Sequence, residues 1–483
     1  MRAIRSTTLL LCALTLTTAV GCGSKSSRNY AASTVAPSTS GTPAPTTSTT
    51  TPGTQPPQTP TLLTEATVSS WQLKEVIQVD AKAGTAGSRW ATGEGPTEVV
   101  NAGTMTYVAN AISQDVTVID RLANATAGTI DVTATPVTGS SLLNFMDPIL
   151  SKLVRPTGLA ANLAGTKLYS ANLLNVTVID AATLTPTKSM LGMNSLDLAA
   201  LIADPVAALT AFGQKPVKGL GMAKVATTPT HAFVTCMITG NVMKIDALTD
   251  RVVDYYPVGR GPVGIAATND KVYVASAISQ EVHVLDANTG ATLQVLSAGM
   301  IPVDVTVSPS GDKVYVANAL SGDITVIDTA ADLVVDTLPA GRSITSIFQQ
   351  LGITLPTGTG QSGIMAALNG FLQGFAGGLN NPASLGSLVT GGTGSLLSPA
   401  TLINGLLSGF LAYAGVTQQQ MAGINLPGIG IMSVTVAEDP TLVCAGNAFM
   451  GELAVTETTT RNVSPISGLT GLGPVDVQAI YTP

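Results

Sequence analysis

The stretch Val314-Tyr-Val-Ala-Asn318, followed by Ile324-Thr-Val-Ile-Asp328, is the clearest copy of a phrase that recurs along this chain. The other copies are Tyr107-Val-Ala-Asn110 with Val116-Thr-Val-Ile-Asp120, Leu168-Tyr-Ser-Ala-Asn172 with Val176-Thr-Val-Ile-Asp180, and Val272-Tyr-Val-Ala-Ser276 with Val282-His-Val-Leu-Asp286. A fixed phrase that returns every ~40 residues is typical of an array of one supersecondary unit. The phrase therefore predicts a repeat architecture, but it identifies neither a ligand nor a reaction.

The residue types of the phrase favour short β-strands. Val, Ile, Thr and Tyr are enriched in it, and Gly, Asn, Asp and Pro separate the copies. Residues 300–340 predict one complete four-stranded unit, because four such runs follow one another there with turn residues between them. The predicted strands are Val303–Val307, Lys313–Asn318, Asp323–Asp328 and Leu333–Leu338, with Ser308-Pro-Ser-Gly311 as the first turn.

A proline begins each predicted unit. Proline has no backbone N–H to donate to a ladder, so it is tolerated at the start of a strand and avoided in central strands. Seven dipeptides of this kind predict seven units. They are Gly95-Pro96, Arg155-Pro156, Lys215-Pro216, Gly261-Pro262, Ile301-Pro302, Leu426-Pro427 and Gly473-Pro474.

The two ends of the repeat region complete each other. Pro474–Ile480 has the pattern of an inner strand with nothing after it, whereas Val68–Leu73 and Glu75–Val79 resemble later strands with no inner strand before them. Pairing these segments would close a ring and remove the exposed edges of an open array. The prediction is an all-β fold, a seven-bladed β-propeller of four-stranded antiparallel blades closed by its N- and C-terminal strands.

The motifs quoted above resemble the YVTN-type β-propeller repeat of bacteria, which YncE-like periplasmic proteins and surface-layer proteins carry. The resemblance covers roughly residues 93–340 and is weaker in the copies at both ends. It implies a propeller fold and a location in the cell envelope. It implies little about activity, because propellers host many functions.

The N-terminus has the pattern of a secretory signal. Met1-Arg-Ala-Ile-Arg5 is positively charged, Leu9–Leu16 is apolar, and Ala19-Val-Gly-Cys22 supplies small residues before a cysteine. This arrangement resembles a bacterial lipoprotein signal, which implies cleavage before Cys22 and lipidation of that residue. An ordinary secretory signal with a chance cysteine is the alternative. Gly23, where the lipoprotein sorting rule would need Asp for inner-membrane retention, implies the outer membrane if the organism is Gram-negative.

Composition separates a tether from the folded region. Residues 22–62 are mostly Ser, Thr, Pro and Gly, which cannot bury a core and predict a disordered linker after the signal at 1–21. Residues 63–483, about 420 in number, form the predicted propeller. The formal charge of −7 becomes −9 once Arg2 and Arg5 leave with the signal, and a net acidic chain argues against a nucleic-acid partner.

No residue pattern predicts catalytic, cofactor-binding or metal-binding residues. His231 and His283 lie in different units without ligand spacing, and Cys236 and Cys444 are predicted to be buried free thiols because their units lie far apart in the ring. The aspartates that end the third strands recur once per unit, which is typical of turn residues. No phosphate loop is present, and no Gly-x-Ser-x-Gly elbow stands at a strand-to-helix turn.

Three insertions interrupt the repeat, at 133–154, 194–215 and 341–427. Each falls between the outer strand of one unit and the inner strand of the next, so all three are expected on one face of the ring. Their apolar spacing predicts helices. Between Arg342 and Glu438 the chain has no charged residue and no histidine. This stretch would form a self-packed cap, an exposed surface for a partner or an apolar ligand, or a membrane contact.

Together these features predict an envelope-anchored binding or scaffold module rather than an enzyme. It would be held at the membrane through Cys22 and would bind an envelope protein or an apolar ligand at the insertions. The competing hypothesis is a lactonase- or lyase-like enzyme that uses the central mouth of the ring. The candidate partner surface consists of Phe348, Met365, Phe371, Phe375, Phe410 and Tyr413.

Overall fold

A computed structural model of the chain describes residues 64–136, 151, 154–192, 218–341, 431–447, 452–466, 469 and 474–481. These residues form seven sheets, each with four antiparallel strands. Successive inner strands contact one another around a closed ring, from β4 (Pro96–Ala102) and β8 (Pro156–Ala161) onward. The predicted seven-bladed β-propeller is confirmed.

Each blade runs from the axis outward as a meander. Blade one consists of β28 (Pro474–Ala479), β1 (Glu65–Ser70), β2 (Glu75–Asp80) and β3 (Thr85–Ala91). Blade two consists of β4, β5 (Met105–Asn110), β6 (Asp115–Asp120) and β7 (Ala125–Asp131). Blade three consists of β8, β9 (Lys167–Asn172), β10 (Asn175–Asp180) and β11 (Thr185–Leu191). Blade four consists of β12 (Met222–Thr227), β13 (His231–Cys236), β14 (Asn241–Asp246) and β15 (Arg251–Pro257).

The remaining three blades follow the same order. Blade five consists of β16 (Pro262–Ala267), β17 (Lys271–Ser276), β18 (Glu281–Asp286) and β19 (Thr292–Ser297). Blade six consists of β20 (Pro302–Val307), β21 (Lys313–Asn318), β22 (Asp323–Asp328) and β23 (Leu333–Pro339). Blade seven consists of β24 (Ile431–Val436), β25 (Leu442–Asn447), β26 (Glu452–Glu457) and β27 (Val463–Pro465).

Blade one closes the ring with strands from both ends of the described region. The inner strand β28 pairs antiparallel with β1, with Val477 opposite Val68 and Ala479 opposite Ala66. The predicted inner strand Pro474–Ile480 is therefore confirmed to within one residue. Pairing the two ends satisfies the backbone groups that an open array would expose.

The core lies between blades and follows from the strand composition. The inner strands β8, β12, β16 and β24 are buried along their whole length, because a neighbouring blade covers each face. Val305 and Val316 of blade six, for example, pack with Ala266, Tyr273 and Val284 of blade five. Outer strands such as β7 are mostly exposed. Burial therefore falls from the axis to the rim of the ring.

Ion pairs lock some neighbouring blades together. Lys167 Nζ of blade three lies 2.9 Å from both carboxylate oxygens of Asp250, in the outer turn of blade four, and Tyr169 Oη donates to Asp250 Oδ1 over 3.0 Å. Blades five and six repeat the arrangement, with Lys271 Nζ 2.7 Å from Asp332 Oδ2 and Tyr273 Oη 3.3 Å from Asp332 Oδ1. A Lys-x-Tyr pair on a second strand thus contacts an aspartate of the next blade.

Three boundary predictions need correction. The strand predicted at Val68–Leu73 is β1, which ends at Ser70 because Lys74, at φ 55°, closes a turn by donating its N–H to Ser70 O. The inner strands of blades four and seven begin at Met222 and Ile431, not at the predicted prolines. Before β12 it is Gly221, at φ 75°, that turns the chain into the strand, as a glycine can without steric cost.

The departures from the repeat share one face of the ring. The described residues on either side of the three long connections are Val132 and Val154, Gly192 and Lys218, and Gly341 and Ile431. Each connection joins an outer strand to the next inner strand, so all six residues lie at the end of the ring where inner strands begin. This end is termed the insertion face. The described residues contain no α-helix, and the predicted helices of the insertions lie outside them.

Candidate functional site: the axial residues and the insertion face

The third residue of each inner strand forms a set of equivalent positions around the axis. Four of these seven residues are charged, although the strands that carry them are otherwise apolar or neutral. In ring order from blade one they are Asp476, Glu98, Gly158, Lys224, Gly264, Asp304 and Ser433. The side chains of all four charged residues are fully buried, with 0% exposure. Burial of this kind is costly unless the charges are paired or hydrogen-bonded.

Lys224 and Asp304 form an ion pair between blades four and six, which are separated by blade five. Lys224 Nζ of blade four lies 2.8 Å from Asp304 Oδ1 of blade six. Gly264 occupies the same position in the intervening blade five, where a Cβ atom would lie 2.8 Å from Asp304 Cα. The missing side chain at Gly264 therefore lets the backbones of blades five and six approach closely next to the ion pair.

The axial aspartates also bind the backbone of the next blade. Asp304 Oδ2 accepts a hydrogen bond from Val434 N over 2.9 Å, and Asp476 Oδ2 accepts one from Val99 N over 2.7 Å. Ser433 Oγ donates to Asp476 Oδ1 over 3.1 Å. Hydrogen bonds to a charged acceptor are among the stronger ones in proteins. These side chains thus join blades six to seven and one to two.

This geometry favours a structural role for Lys224, Asp304 and Asp476. A general acid or base must come within hydrogen-bond reach of a substrate proton. These three groups are buried and already bonded to other blades, which does not suit that task. The sequence did not predict these residues as a group. Asp304 and Asp476 were nevertheless a usable signal, because each interrupts an apolar strand two residues after its proline.

Side-chain hydrogen bonds stabilise the hairpins that face the insertions. Asn110 Nδ2 donates to Asp115 Oδ1 over 2.6 Å and to Thr117 Oγ1 over 2.8 Å, and Asn318 makes the same bonds to Asp323 and Thr325. Both asparagines belong to the repeated phrase and end the second strand of their blade. Here they bond side chains of the third strand, across the hairpin.

Blade five replaces this hairpin arrangement with other polar residues. The positions of Asn110, Asp115 and Thr117 in blade two are held here by Ser276, Glu281 and His283. His283 Nε2 lies 3.2 Å from Glu281 Oε2. Ser276 is fully buried below the connection at Gly259, where a Cβ atom would lie 2.8 Å from Ser276 Oγ. The seryl oxygen is therefore shielded from a substrate, and this group of residues does not form an accessible nucleophile.

One arginine lies on the insertion face beside a long connection. Arg155 directly precedes β8, and its Nη1 donates to Ala111 O over 3.1 Å. Burial lowers the pKa of Arg155, because desolvation disfavours the charged guanidinium. Gln114 is also directed towards this connection, and its Nε2 donates to Ser151 O over 2.8 Å. The hairpin of blade two therefore holds the returning end of the connection in place.

The repeating aspartates are turn residues, as predicted. Asp246 Oδ1 accepts bonds from Leu248 N and Thr249 N, and Asp120 Oδ1 accepts them from Leu122 N and Ala123 N. The pKa of Asp246 is lowered, first because its carboxylate accepts the hydrogen bond from Thr249 N. The same bonds recur at Asp180, Asp286 and Asp328.

The predicted free thiols are confirmed within the described residues. Cys236 and Cys444 are both unpaired with another cysteine and buried. Burial raises the pKa of the Cys236 thiol to about 12. Such a thiol is almost entirely protonated at neutral pH, which disfavours a nucleophilic role for Cys236.

Other predicted sites lie outside the described residues. These are Cys22 and the candidate partner surface of Phe348, Met365, Phe371, Phe375, Phe410 and Tyr413. Within the described ranges, no cluster of three or more His, Cys, Asp or Glu side chains is arranged to hold a metal ion. No helix in that part of the chain has the length and apolarity to span a membrane.

Comparison with known proteins supports the propeller fold and does not indicate an activity. No protein-family model and no curated protein sequence matches the chain. A functionally unknown protein from Desulfotomaculum acetoxidans is similar in structure over 87% of this chain and 99% of that chain, with 10% identity and a TM-score of 0.52. Hydrazine synthase from Kuenenia stuttgartiensis matches over 85% of this chain and 93% of that chain, with 15% identity and a TM-score of 0.46. At 10% identity, the likeness to the Desulfotomaculum protein indicates a shared fold and not a shared activity.

Proposed function

We propose that this protein is a lipid-anchored β-propeller of the bacterial cell envelope that acts as a binding or scaffold module. The proposal rests on one contrast: the charged residues at the axis are buried and bonded, whereas the long insertions all leave from the insertion face. The axial Lys224, Asp304 and Asp476 are fully buried and bonded between blades. All three long departures from the repeat, by contrast, leave from one face. Loops on a rigid scaffold are where binding usually resides.

The path of the chain supports an arrangement in which the anchor and the binding face lie at opposite ends of the ring. β1 begins at Glu65 and runs antiparallel to β28, so Glu65 lies at the end where inner strands finish. The insertion face is the other end. A tether from Cys22 would therefore join the propeller at the end opposite the insertion face, and its disordered length would not fix the orientation of that face relative to the lipid. If the organism is Gram-negative, Gly23 favours the outer membrane.

The anchor is tested by replacing Cys22 with Ser. We expect the variant to move from the membrane fraction to the soluble fraction after cell disruption, because the acyl chains would supply the membrane affinity. The unchanged protein, extracted in parallel with detergent, is the control. Retention of Cys22→Ser on membranes after a high-salt wash would refute the anchor.

The binding face is tested by deletion. Residues 341–427 are replaced by a short Gly/Ser bridge, and proteins that co-purify from envelope extracts are compared with those of the parent. A matched control deletes 194–215, which leaves from the same face but contains Asp197 and Asp204. We expect partners to be lost with 341–427 and kept in the control. A deletion variant that folds and keeps every partner would exclude this segment as the binding surface.

A further inference from the structure

The outermost strand pair of most blades contains a bulge at one fixed position. The register of the third and fourth strands shifts by one residue there, which leaves an extra residue on the outer strand. From blade two to blade six the extra residues are Ala127, Thr187, Val253, Leu293 and Val335. The equivalence is fixed by strand pairing, so the five side chains occupy the same place on the rim of the ring.

Blades four to six place large apolar side chains at this position. Val253, Leu293 and Val335 are 56%, 46% and 54% exposed, whereas blades two and three have Ala127 and Thr187 there. Other exposed large hydrophobics lie on the same outer strands and on β27. We call the whole set the apolar rim, which consists of Val253, Leu293, Val295, Leu333, Val334, Val335 and Val463. Among the described residues, the outer strands of blades one to three have no exposed large hydrophobic residue.

Of the outer strands in this arc, β15 has Arg251, Asp254 and Pro257 and β23 has Asp336 and Pro339, but β19 lacks the usual protection against pairing. Natural edge strands are blunted by charges or proline. β11 has Pro186 and Lys188, and β7 has Asp131. β19, with the sequence Thr292-Leu-Gln-Val-Leu-Ser297, has neither. Within the described part of the chain, no other backbone bonds the outward edge of β19.

Charge separates β19 and β23 from the neighbouring outer strand β15, which contains Arg251 and Asp254. The only charged residue of β23, Asp336, is paired with Arg461 of blade seven, with Nη1 and Oδ1 3.0 Å apart. β19 and β23 lie side by side, so together they present an apolar surface with no unpaired charge. The chain as a whole carries −7, which repels a second copy elsewhere on the surface.

We propose that the apolar rim is the docking surface for a second copy of this chain. An unpaired strand edge is complemented by another strand, and two identical edges pair antiparallel about a two-fold axis. Two like-charged molecules approach most easily where neither carries unpaired charge. The seven half-exposed side chains offer on the order of 500 Å², less than the ~800 Å² per partner of a standard interface. The dimer is therefore weak and forms in a concentration-dependent manner.

The test is sedimentation of the full chain carrying Cys22→Ser, which removes any contribution of the lipid to assembly. We expect a monomer–dimer equilibrium, and at least tenfold weaker association when Leu293→Asp and Val335→Asp are added. Ala127→Asp with Thr187→Asp places the same charges at the equivalent positions of blades two and three. This control is expected to associate like the parent. A parent that stays monomeric at high concentration, or a control that dissociates equally, would overturn the proposal.

A second measurement identifies what covers the rim. In the Cys22→Ser chain, Leu293→Cys is expected to form a disulfide-linked dimer under mild oxidation, and Ala127→Cys is not. The native Cys236 and Cys444 are buried and do not compete. A monomer in which the thiol of Leu293→Cys reacts slowly with a soluble reagent would show that another part of the same chain covers the rim. A monomer whose thiol reacts quickly would show an uncovered rim. Either monomeric result contradicts the dimer.

Discussion

Lys224 and Asp304 are joined by an ion pair of 2.8 Å between strands that lie two blades apart, and neither side chain is exposed to solvent. Their attraction is strong because the surroundings are poorly polarisable, but removing both charges from water is costly. Such a pair adds little net stability over an apolar pair of similar size, whereas removal of one partner alone is costly. Two hydrogen bonds also join axial aspartates to the next blade. Val434 N donates to Asp304, and Val99 N donates to Asp476.

Single substitutions of this pair should be severe and the double substitution mild. Lys224→Met leaves a buried carboxylate without its cation, and Asp304→Asn leaves a buried ammonium without its anion. Each should lower the free energy of unfolding by about 3–5 kcal/mol. The combination of both should cost much less than their sum, because neither member of this pair then carries a charge. Chemical denaturation of the four proteins measures this, and additive losses would contradict the coupling.

The ion pair between Lys167 of blade three and Asp250 of blade four predicts a smaller loss of stability, limited to this position. Asp250 binds Lys167 and Tyr169 and has a φ of 51°, and Asn124 occupies the same kind of turn in blade two at 52°. Asp250→Ala and Asn124→Ala both place alanine in a left-handed conformation. The pair at Asp250 is partly exposed, so the additional loss for Asp250→Ala should be roughly 1 kcal/mol. Equal shifts of the thermal midpoint in both variants would show that the bonds of Asp250 to Lys167 and Tyr169 contribute nothing to stability.

The strands of blade six were predicted to within one residue, because local composition and turn residues decide where a strand begins and ends. Blades four and seven were predicted less well. In blade four a glycine in the left-handed conformation, Gly221, takes the place before the strand that Pro216 was expected to hold. Sequence spacing alone does not distinguish these two ways of starting a strand.

The axial residues show the limit of reasoning from one sequence. Lys224 and Asp304 are 80 residues apart, and Asp476 contacts the backbone of Val99 at a separation of 377 residues. Strand periodicity shows that each residue belongs to an inner strand. It does not show that these charged side chains reach other blades, or that Gly264 brings the backbones of blades five and six close together. The surface predicted for a partner, from Phe348 to Tyr413, lies outside the described residues and stays a prediction.

The turn aspartates predict a loss of stability in acid. Hydrogen bonds from Thr249 N and Thr289 N lower the pKa values of Asp246 and Asp286. A lowered folded-state pKa stabilises the fold fully above the unfolded value near 3.8, and this stabilisation is lost as the pH falls through the folded value. Unfolding should therefore become easier below about pH 4.

Variants of one turn make this acid effect measurable. Asp246→Asn should lower stability at neutral pH and weaken its dependence on acid, because no carboxylate remains to be protonated at that turn. Thr249→Ala, which removes one donor to Asp246, should give an intermediate slope. Denaturant midpoints measured between pH 2 and 7 test whether the acid dependence of stability weakens from the parent to Thr249→Ala and then to Asp246→Asn. Parallel profiles for all of them would exclude the turn carboxylates as the source.

Buried tyrosines predict a second transition in alkali. Burial raises the pKa of Tyr315 to about 12, and burial with the nearby Asp250 and Asp332 raises those of Tyr169 and Tyr273 further. A raised folded-state pKa gives stability that is complete below the unfolded value of about 10 and is lost as the pH rises through the folded value. Tyrosinate absorbance should therefore show a late phase that coincides with loss of the β-sheet circular dichroism signal. Tyr315→Phe should reduce the late phase by the absorbance of one tyrosine, and ionisation of all tyrosines near pH 10 with the fold intact would contradict their burial.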